Sequence, residues 1–175
     1  AAVDTAESTG ITPVFVAAAN GHVDVIKTLA SLGAAVDTAE STGATPVFIA
    51  AQNGHVDAIK TLASLGAAVD TAERTGATPV YVAAQNGHVD AIKTLVSLGA
   101  AVDTAESTGI TPVFVAAKNG HVDVIKTLAS LGAAVDTAKS TGITPVFVAA
   151  ANGHVGAIKT LYKLGADLGR AVLYD

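Results

Sequence analysis

The chain has 175 residues, half of them apolar and 14% charged, with no cysteine and a formal net charge of −5. The missing cysteines exclude disulfides and thiolate metal sites, and an acidic chain without a Lys/Arg cluster argues against nucleic-acid and anionic-membrane partners. The longest uninterrupted apolar runs, such as Val14 to Ala19, are too short to span a bilayer, and no signal peptide is visible, so an intracellular location is favoured.

The first predicted helix begins at Thr12 and Pro13. A threonine oxygen can accept a hydrogen bond from an amide of the first turn, and proline at the first helical position loses no amide that the helix needs. Val14 and Ala18 belong to a face of small residues that can lie close to a neighbour. Gly21 is predicted to end the helix after about two turns, because glycine adopts the left-handed conformation of a C-cap at little cost.

A second predicted helix follows directly. Asp24 lies in its first turn, where a negative charge is favourable, and Lys27 is placed three residues on as an ion-pair partner. Ile26 belongs to a set of apolar residues at helical spacing that predicts the buried stripe. Gly33 ends the helix, and residues 34–43 have no helical period and finish in Ser-Thr-Gly, which predicts a loop with a turn.

The same unit recurs along the chain. The string Thr-Pro-Val-(Phe/Tyr)-(Val/Ile)-Ala-Ala-x-Asn-Gly-His-Val occurs five times at a spacing of 33 residues, and its copies start at Thr12, Thr45, Thr78, Thr111 and Thr144. A fixed period of this length is typical of a stack of small units and not of a globule with one central core. We therefore predict one array over 1–175, with the end of a preceding repeat at 1–7, four repeats at 8–40, 41–73, 74–106 and 107–139, and a last repeat with a partial C-terminal cap at 140–175.

These residues resemble the ankyrin repeat. The resemblance lies in segments 12–18, 20–23 and 32–37, beside the family patterns T-P-L-H-x-A-A, N-G-H and G-A-D-V-N, and at the family's period. It implies an all-α, ankyrin-type solenoid of about five stacked helix-turn-helix-loop units, with hairpin-like loops projecting from one side. It also implies that a protein partner docks on the concave surface formed by the loop tips and the first helices.

Three positions depart from the family pattern. The usual aspartate of G-A-D-V-N is alanine until Asp167, and the usual asparagine is an aspartate, such as Asp37. The usual histidine after T-P-L is an aromatic ring in every repeat: Phe15, Phe48, Tyr81, Phe114 and Phe147. From sequence these rings are either packed between adjacent repeats or displayed as an aromatic stripe that grips a peptide.

Two ladders of polar residues have structural explanations. Each histidine follows a glycine at the start of a second helix, where a ring nitrogen can satisfy a local backbone group; the five are His22, His55, His88, His121 and His154. The loop acids number two per repeat as far as Glu106, as in Asp37 and Glu40, and Lys139 breaks the series. Ca²⁺ requires six to eight converging oxygens, which two carboxylates do not supply. We predict a solvated negative rim that prefers basic partners, with no metal site and no cofactor.

No catalytic arrangement emerges. Every Ser/His/Asp combination repeats with the period, whereas an active site is one asymmetric constellation, and no G-x-G-x-x-G, P-loop or H-E-x-x-H pattern is present. We therefore predict a non-enzymatic scaffold that binds a protein or peptide, centred on Arg74, Tyr81 and Gln85. Arg74 and Tyr81 differ from all their counterparts, and Gln85 has glutamine as a counterpart only at Gln52. The candidate partner-binding residues are Thr9, Ile11, Thr42, Ala44, Gln52, Arg74, Thr75, Ala77, Tyr81, Gln85, Asn86, Thr108, Ile110, Lys118, Asn119, Thr141 and Ile143.

Two other functions stay open from sequence. The first repeat shows no cap, since it keeps the residues of internal repeats at Val14, Ala18, Val25 and Ile26, whereas the last repeat changes at Gly156, Tyr162, Lys163, Asp167, Gly169 and Arg170. An uncapped end could stack on another copy and propagate head to tail as a structural array or filament. The near identity of the repeats also fits an engineered scaffold that has no native ligand.

Overall fold

A computed structural model of the chain describes residues 8–169. This range contains ten α-helices in five successive pairs and no β-strand, which confirms the predicted all-α fold. The helices are α1 (Pro13–Ala19), α2 (Val23–Ser31), α3 (Pro46–Gln52), α4 (Val56–Ser64), α5 (Pro79–Gln85), α6 (Val89–Ser97), α7 (Pro112–Asn119), α8 (Val122–Ser130), α9 (Pro145–Ala151) and α10 (Val155–Lys163).

Each first helix begins where the sequence predicts. In α3 the side-chain oxygen of Thr45 accepts a hydrogen bond from the backbone N–H of Phe48 at 3.2 Å, and Pro46 occupies the first helical position. The same cap forms in the other four repeats. All five capping threonines are buried, so the bond also satisfies a polar group that water does not reach.

The hydrophobic core runs from repeat to repeat without a single centre. Within a repeat, small residues of the first helix, such as Val47 and Ala50, pack on aliphatic residues of the second helix, such as Ile59 and Leu62, and all four are fully buried. First helices contact the first helices of neighbouring repeats, and second helices contact second helices. The predicted array of stacked units is therefore the observed architecture.

A histidine joins each pair of adjacent repeats. The ring Nε2 of His88 lies 3.0 Å from the carbonyl oxygen of Gln52 at the end of the preceding first helix. His55, His121 and His154 make the same bond at 3.1, 3.0 and 2.9 Å. A carbonyl only accepts, so Nε2 carries the hydrogen. The sequence predicts a structural role correctly, but the backbone group belongs to the neighbouring repeat and is not local.

The histidine ring also explains why glycine precedes the second helix. Gly54 has a φ of +73°, a conformation that favours glycine. A Cβ placed on it would lie 2.7 Å from Nδ1 of His88, and the same close approach occurs between Gly120 and His154. The glycine is therefore required twice, once for the turn and once to admit the ring of the next repeat.

The charged pairs predicted in the second helices form in three repeats. Lys126 and Asp123 lie 3.1 Å apart, and the equivalent pairs at 57/60 and 90/93 are at 3.9 and 4.0 Å. All of these side chains are largely exposed, so the pairs contribute little to stability. Among the described residues no helix is long and apolar enough to cross a membrane.

The first and last described repeats expose apolar side chains that internal repeats bury. Val16 is 48% exposed, whereas its counterpart Val115 is 3% exposed, and Phe147 is 60% exposed, whereas Phe114 is 2% exposed. Of the residues cited for a missing N-terminal cap, Val14, Ala18 and Ile26 face the interior of their own repeat, and Val25 lies on the outer face. Among the predicted cap substitutions Tyr162 and Lys163 are exposed, and Arg170 lies outside the described residues.

We expect Gly54→Ala to destabilise the array more than Gly153→Ala. The two glycines have φ values of 73° and 75°, so both variants carry the same backbone strain, about 1–2 kcal/mol. Only Gly54→Ala adds a methyl group against His88, since a Cβ at Gly153 would meet no atom within 4 Å, and such overpacking costs about a further 1–3 kcal/mol. Urea unfolding followed by circular dichroism measures both losses.

Gly87→Ala serves as the graded control. Its added Cβ would lie 3.3 Å from the ring of His121, so the loss of stability should fall between those of the other two variants. Equal losses for all three would contradict a role for the histidine contact.

Candidate protein-binding surface

The loop tips are turns that a glutamate holds in shape. One carboxylate oxygen of Glu40 accepts hydrogen bonds from the hydroxyl of Thr42, from the N–H of Thr42 at 2.9 Å and from the N–H of Ala44 at 3.3 Å. Backbone bonds between Glu40 and Ala44 and between Gly43 and Glu40 close the turn. Glu73 and Glu106 build the next two tips in the same way. The threonine hydroxyls of these tips are thus already used inside the loop.

Ionisation of these glutamates is coupled to the turn. Hydrogen bonds from Thr42 hold the pKa of Glu40 below its ordinary value of 4.5. Partial burial opposes the ionisation of Glu106, but the bonds from Thr108, Ile110 and Ser107 together outweigh it, and its pKa is also lowered. Both carboxylates are therefore charged acceptors at neutral pH.

Successive tips are joined into one row by backbone hydrogen bonds. The N–H of Ser41 donates to the carbonyl of Thr9 at 2.9 Å, and the N–H of Arg74 donates to the carbonyl of Thr42 at 2.9 Å. The bonds from Ser107 to Thr75 and from Ser140 to Thr108 continue the row at 2.8 and 3.0 Å. The tips are consequently a single surface with a fixed spacing.

The loop aspartates belong to the junctions between repeats. Asp37 Oδ2 accepts a hydrogen bond from the N–H of Ala68 at 3.1 Å, and Asp70, Asp103 and Asp136 accept the equivalent amides of the next repeats. The second carboxylate oxygens of Asp103 and Asp136 are buried. The predicted rim of solvated acids is therefore wrong for Asp103, one oxygen of which is turned into the protein, as is one oxygen of Asp136.

The aromatic column is packed between adjacent repeats and is exposed only in the last described repeat. Phe48 and Phe114 are buried, Phe15 and Tyr81 are half-buried, and Phe147 in the last repeat is exposed. This decides between the two interpretations left open by the sequence, in favour of rings wedged between repeats. Tyr81 differs by its hydroxyl: burial raises the pKa of Tyr81, and the negative charge of Glu106 raises it further. The hydroxyl therefore stays protonated, as a hydrogen-bond donor beside the next loop.

A second row lies at the ends of the first helices. Gln52, Gln85 and Lys118 occupy equivalent positions in α3, α5 and α7, which pack side by side. Within residues 8–169 their side chains make no hydrogen bond or ion pair, and the same holds for Arg74 at a loop tip. Gln85 is four residues after Tyr81, on the same side of α5. Tyr81 thus connects the helix row to the tips, and we call the two rows together the front face.

The structure separates the sequence-predicted contact residues by exposure. Ala44 and Ala77 are buried, at 7% exposure each, so their side chains are occupied in packing. The half-buried residues are Ile11, Gln52, Tyr81, Ile110 and Ile143, and the exposed ones are Thr9, Thr42, Arg74, Thr75, Gln85, Asn86, Thr108, Lys118, Asn119 and Thr141.

The asparagines of the front face are partly committed to the fold. Nδ2 of Asn53 and Asn119 donates to the carbonyls of Ala19 and Gln85 in the preceding repeat, at 2.8 Å in both cases. Asn86 donates to Val82 of its own helix, also at 2.8 Å. Sequence reasoning missed the bonds of Asn53 and Asn119, because their acceptors are backbone carbonyls that only stacking brings within reach.

No metal-binding group stands out in the part of the chain that the structure describes, where no cluster of three or more His, Asp or Glu side chains could hold an ion. The fold defines an α-helical solenoid whose side chains present a surface.

A family model described as ankyrin repeats (3 copies) matches residues 1–73 and 80–171, and one described as ankyrin repeats (many copies) matches residues 53–96.

The chain therefore belongs to the ankyrin repeat family. Ankyrin repeats are generally protein–protein interaction modules. A search of the curated proteins finds no match to the chain.

We expect Glu106→Gln to lower the free energy of unfolding and Lys139→Glu to raise it, each by about 0.5–1 kcal/mol. Lys139 stands where the other loops have glutamate, and an ammonium group cannot accept the amide bonds of the turn. Chemical denaturation at neutral pH measures both changes. Lys139→Met is the control that removes the positive charge without adding an acceptor oxygen; a gain as large as that of Lys139→Glu would count against the carboxylate.

The pH dependence of Glu106→Gln provides a further check. Because the pKa of Glu106 is lowered in the folded chain, its contribution to stability is present above the ordinary value of 4.5 and is lost as pH falls through the lowered pKa. The stability difference between wild type and Glu106→Gln should shrink when the pH is taken below 4.5. A difference that stays constant into this acid range would contradict the proposed bonds.

Proposed function

We propose that the chain is a non-catalytic scaffold that binds a protein or peptide through its front face, with Arg74, Tyr81 and Gln85 at the centre. The observation that supports this proposal is that some polar side chains of the front face are hydrogen-bonded within the protein and others are not. The side chains of Thr42, Thr75 and Thr108, of the tip glutamates and of the asparagines are engaged within the protein. Those of Arg74, Gln85 and Lys118 are exposed and make no bond within the described residues.

Rigid backbone and unused side chains together favour binding. The tips and the first helices are held by the bonds between repeats described above, so a partner that binds them orders few new groups. Arginine and tyrosine are enriched among the residues that dominate interface energies. Arg74 and Tyr81 belong to the same repeat, and Gln85 extends that set along α5.

Charge supports a protein partner that carries basic groups near the tips. Glu40 and Glu106 stay ionised, because their pKa values are lowered, and the chain as a whole is acidic. Arg74 and Lys118 place positive charges among these acids. A partner with alternating basic and acidic groups would match this pattern better than a nucleic acid, a membrane surface or a uniformly charged peptide.

The proposal is tested with peptides selected from a displayed random library on the wild-type chain. For the selected peptides we expect the combined variant Arg74→Ala, Gln85→Ala to weaken binding at least about 10-fold in titration calorimetry, equivalent to about 1.4 kcal/mol. Tyr81→Phe should weaken binding while keeping the packed ring, which is why it is preferred to Tyr81→Ala.

Lys93→Ala is the matched control, since Lys93 lies in the same repeat but on the second helix, where it is exposed. Peptides whose affinity falls with this variant, and not with those of the front face, would move the binding site to the second helices and overturn the assignment.

A further inference from the structure

The two ends of the described array are complementary surfaces. On the first repeat, Val16 and Val25 are 48% and 47% exposed, whereas their counterparts Val115 and Val124 are almost completely buried by the preceding repeat. On the last described repeat, Phe147 and Val155 are both 60% exposed, whereas Phe114 is 2% exposed because the next repeat covers it. Each end therefore exposes an apolar surface that, at an internal junction, is covered by a repeat like the one at the other end.

We propose that a second copy of this chain docks its first repeat on the last repeat of the first copy, extending the solenoid between molecules. The argument is continuity with the interface that already joins repeats 1 to 5. The first repeat and the fourth differ at only two positions, Ala19/Lys118 and Glu40/Lys139. The surface that the fourth repeat offers to the third is thus nearly the same as the surface that the first repeat leaves exposed.

The polar contacts of an internal junction are also available at the ends. His22 is exposed, whereas His55, His88, His121 and His154 are half-buried against the preceding repeat. The ring of each of those four lies against the glycine one repeat earlier, but a Cβ at Gly153 would meet no atom within 4 Å. His22 of a second copy fits this place on Gly153, with the carbonyl of Ala151 in the position that the carbonyl of Lys118 holds for His154.

Two differences make the proposed junction weaker than an internal one. Gly169 stands at the position of Asp136, so the aspartate-to-amide bond that joins internal repeats has no carboxylate there. Tyr162 and Lys163 replace the alanine and serine of internal repeats and are both exposed. The association is consequently a reversible one that depends on concentration. Because the two contacting surfaces differ, it does not close on itself and can continue to further copies.

The test is sedimentation of the 175-residue chain over a range of concentrations, with one variant for each end. Val16→Asp and Phe147→Asp each place a charge on a side chain that is already about half exposed or more, so both variants should fold, as circular dichroism would check. Wild type is expected to grow with concentration, and each variant to associate at least about 100-fold more weakly, since burying an unpaired carboxylate is costly.

Mixing the two variants gives the decisive result. Val16→Asp retains an intact last repeat and Phe147→Asp retains an intact first repeat, so together they should form a 1:1 dimer that grows no further. Leu98→Asp is the control for unspecific apolar contact, because Leu98 is 41% exposed and lies on an internal repeat; it should associate like wild type.

Three outcomes overturn the proposal. The first is wild type that stays monomeric up to about 100 μM. The second is a mixture of the end variants that forms no dimer. The third is association that Leu98→Asp weakens as strongly as the end variants do. None of these variants changes Arg74, Tyr81 or Gln85, and Phe147 lies two repeats beyond its counterpart Tyr81, so the result is independent of the proposed partner binding.

Discussion

Each repeat can bury its apolar surface only against the repeats on either side of it, and the rest of the structure depends on this constraint. One valine position shows how much surface a neighbouring repeat covers. Val115 is buried by its neighbour, whereas Val16, at the equivalent place in the first described repeat, is half exposed. The polar bonds follow the same register. The histidine reaches a carbonyl 36 residues back, as from His88 to Gln52, and the aspartate reaches an amide 31 residues on, as from Asp37 to Ala68. Because apolar and polar contacts share one period, a shifted stacking would lose both at once.

Most of the repeated polar residues have a structural role. The polar residues without such a role are therefore candidates for contact with a partner. Histidine, aspartate and glutamate each occur at a fixed place because each satisfies a backbone group that the stacking or the turn leaves open. The side chains of Gln85, Lys118 and Arg74 satisfy no such group within the described residues. Part of the variation along the array thus falls where the fold makes no demand, and packed positions vary as well, as the buried equivalents Ala58 and Val124 show. This division between bonded and unbonded side chains, more than exposure alone, distinguishes a surface that maintains the fold from one that is available to a partner.

The departures from the family pattern become understandable in the same terms. A phenylalanine in place of the usual histidine is tolerated because the position lies between repeats, where Phe114 is buried completely enough to need no hydrogen bond. Aspartate in place of asparagine keeps an acceptor oxygen for the amide of the next repeat. Tyr81 is the intermediate case, since its ring is packed and its hydroxyl lies near the charge of Glu106. None of these outcomes follows from residue type alone, because the same ring could have been displayed.

The sequence by itself determined the period, the helix boundaries and the family, because threonine-proline starts, glycine ends and helical spacing of apolar residues act within a few residues of each other. It also limited the candidate surface to loop tips and first helices, through the family resemblance. Only the tertiary structure decided which of those residues are available. The acceptors of His88 and Asn53 and the donor to Asp37 come from other repeats, and the cover over Phe114 exists only when its neighbour is in place. Such contacts join residues more than 30 positions apart. The sequence shows both residues of each contact, but it does not show that they are in contact.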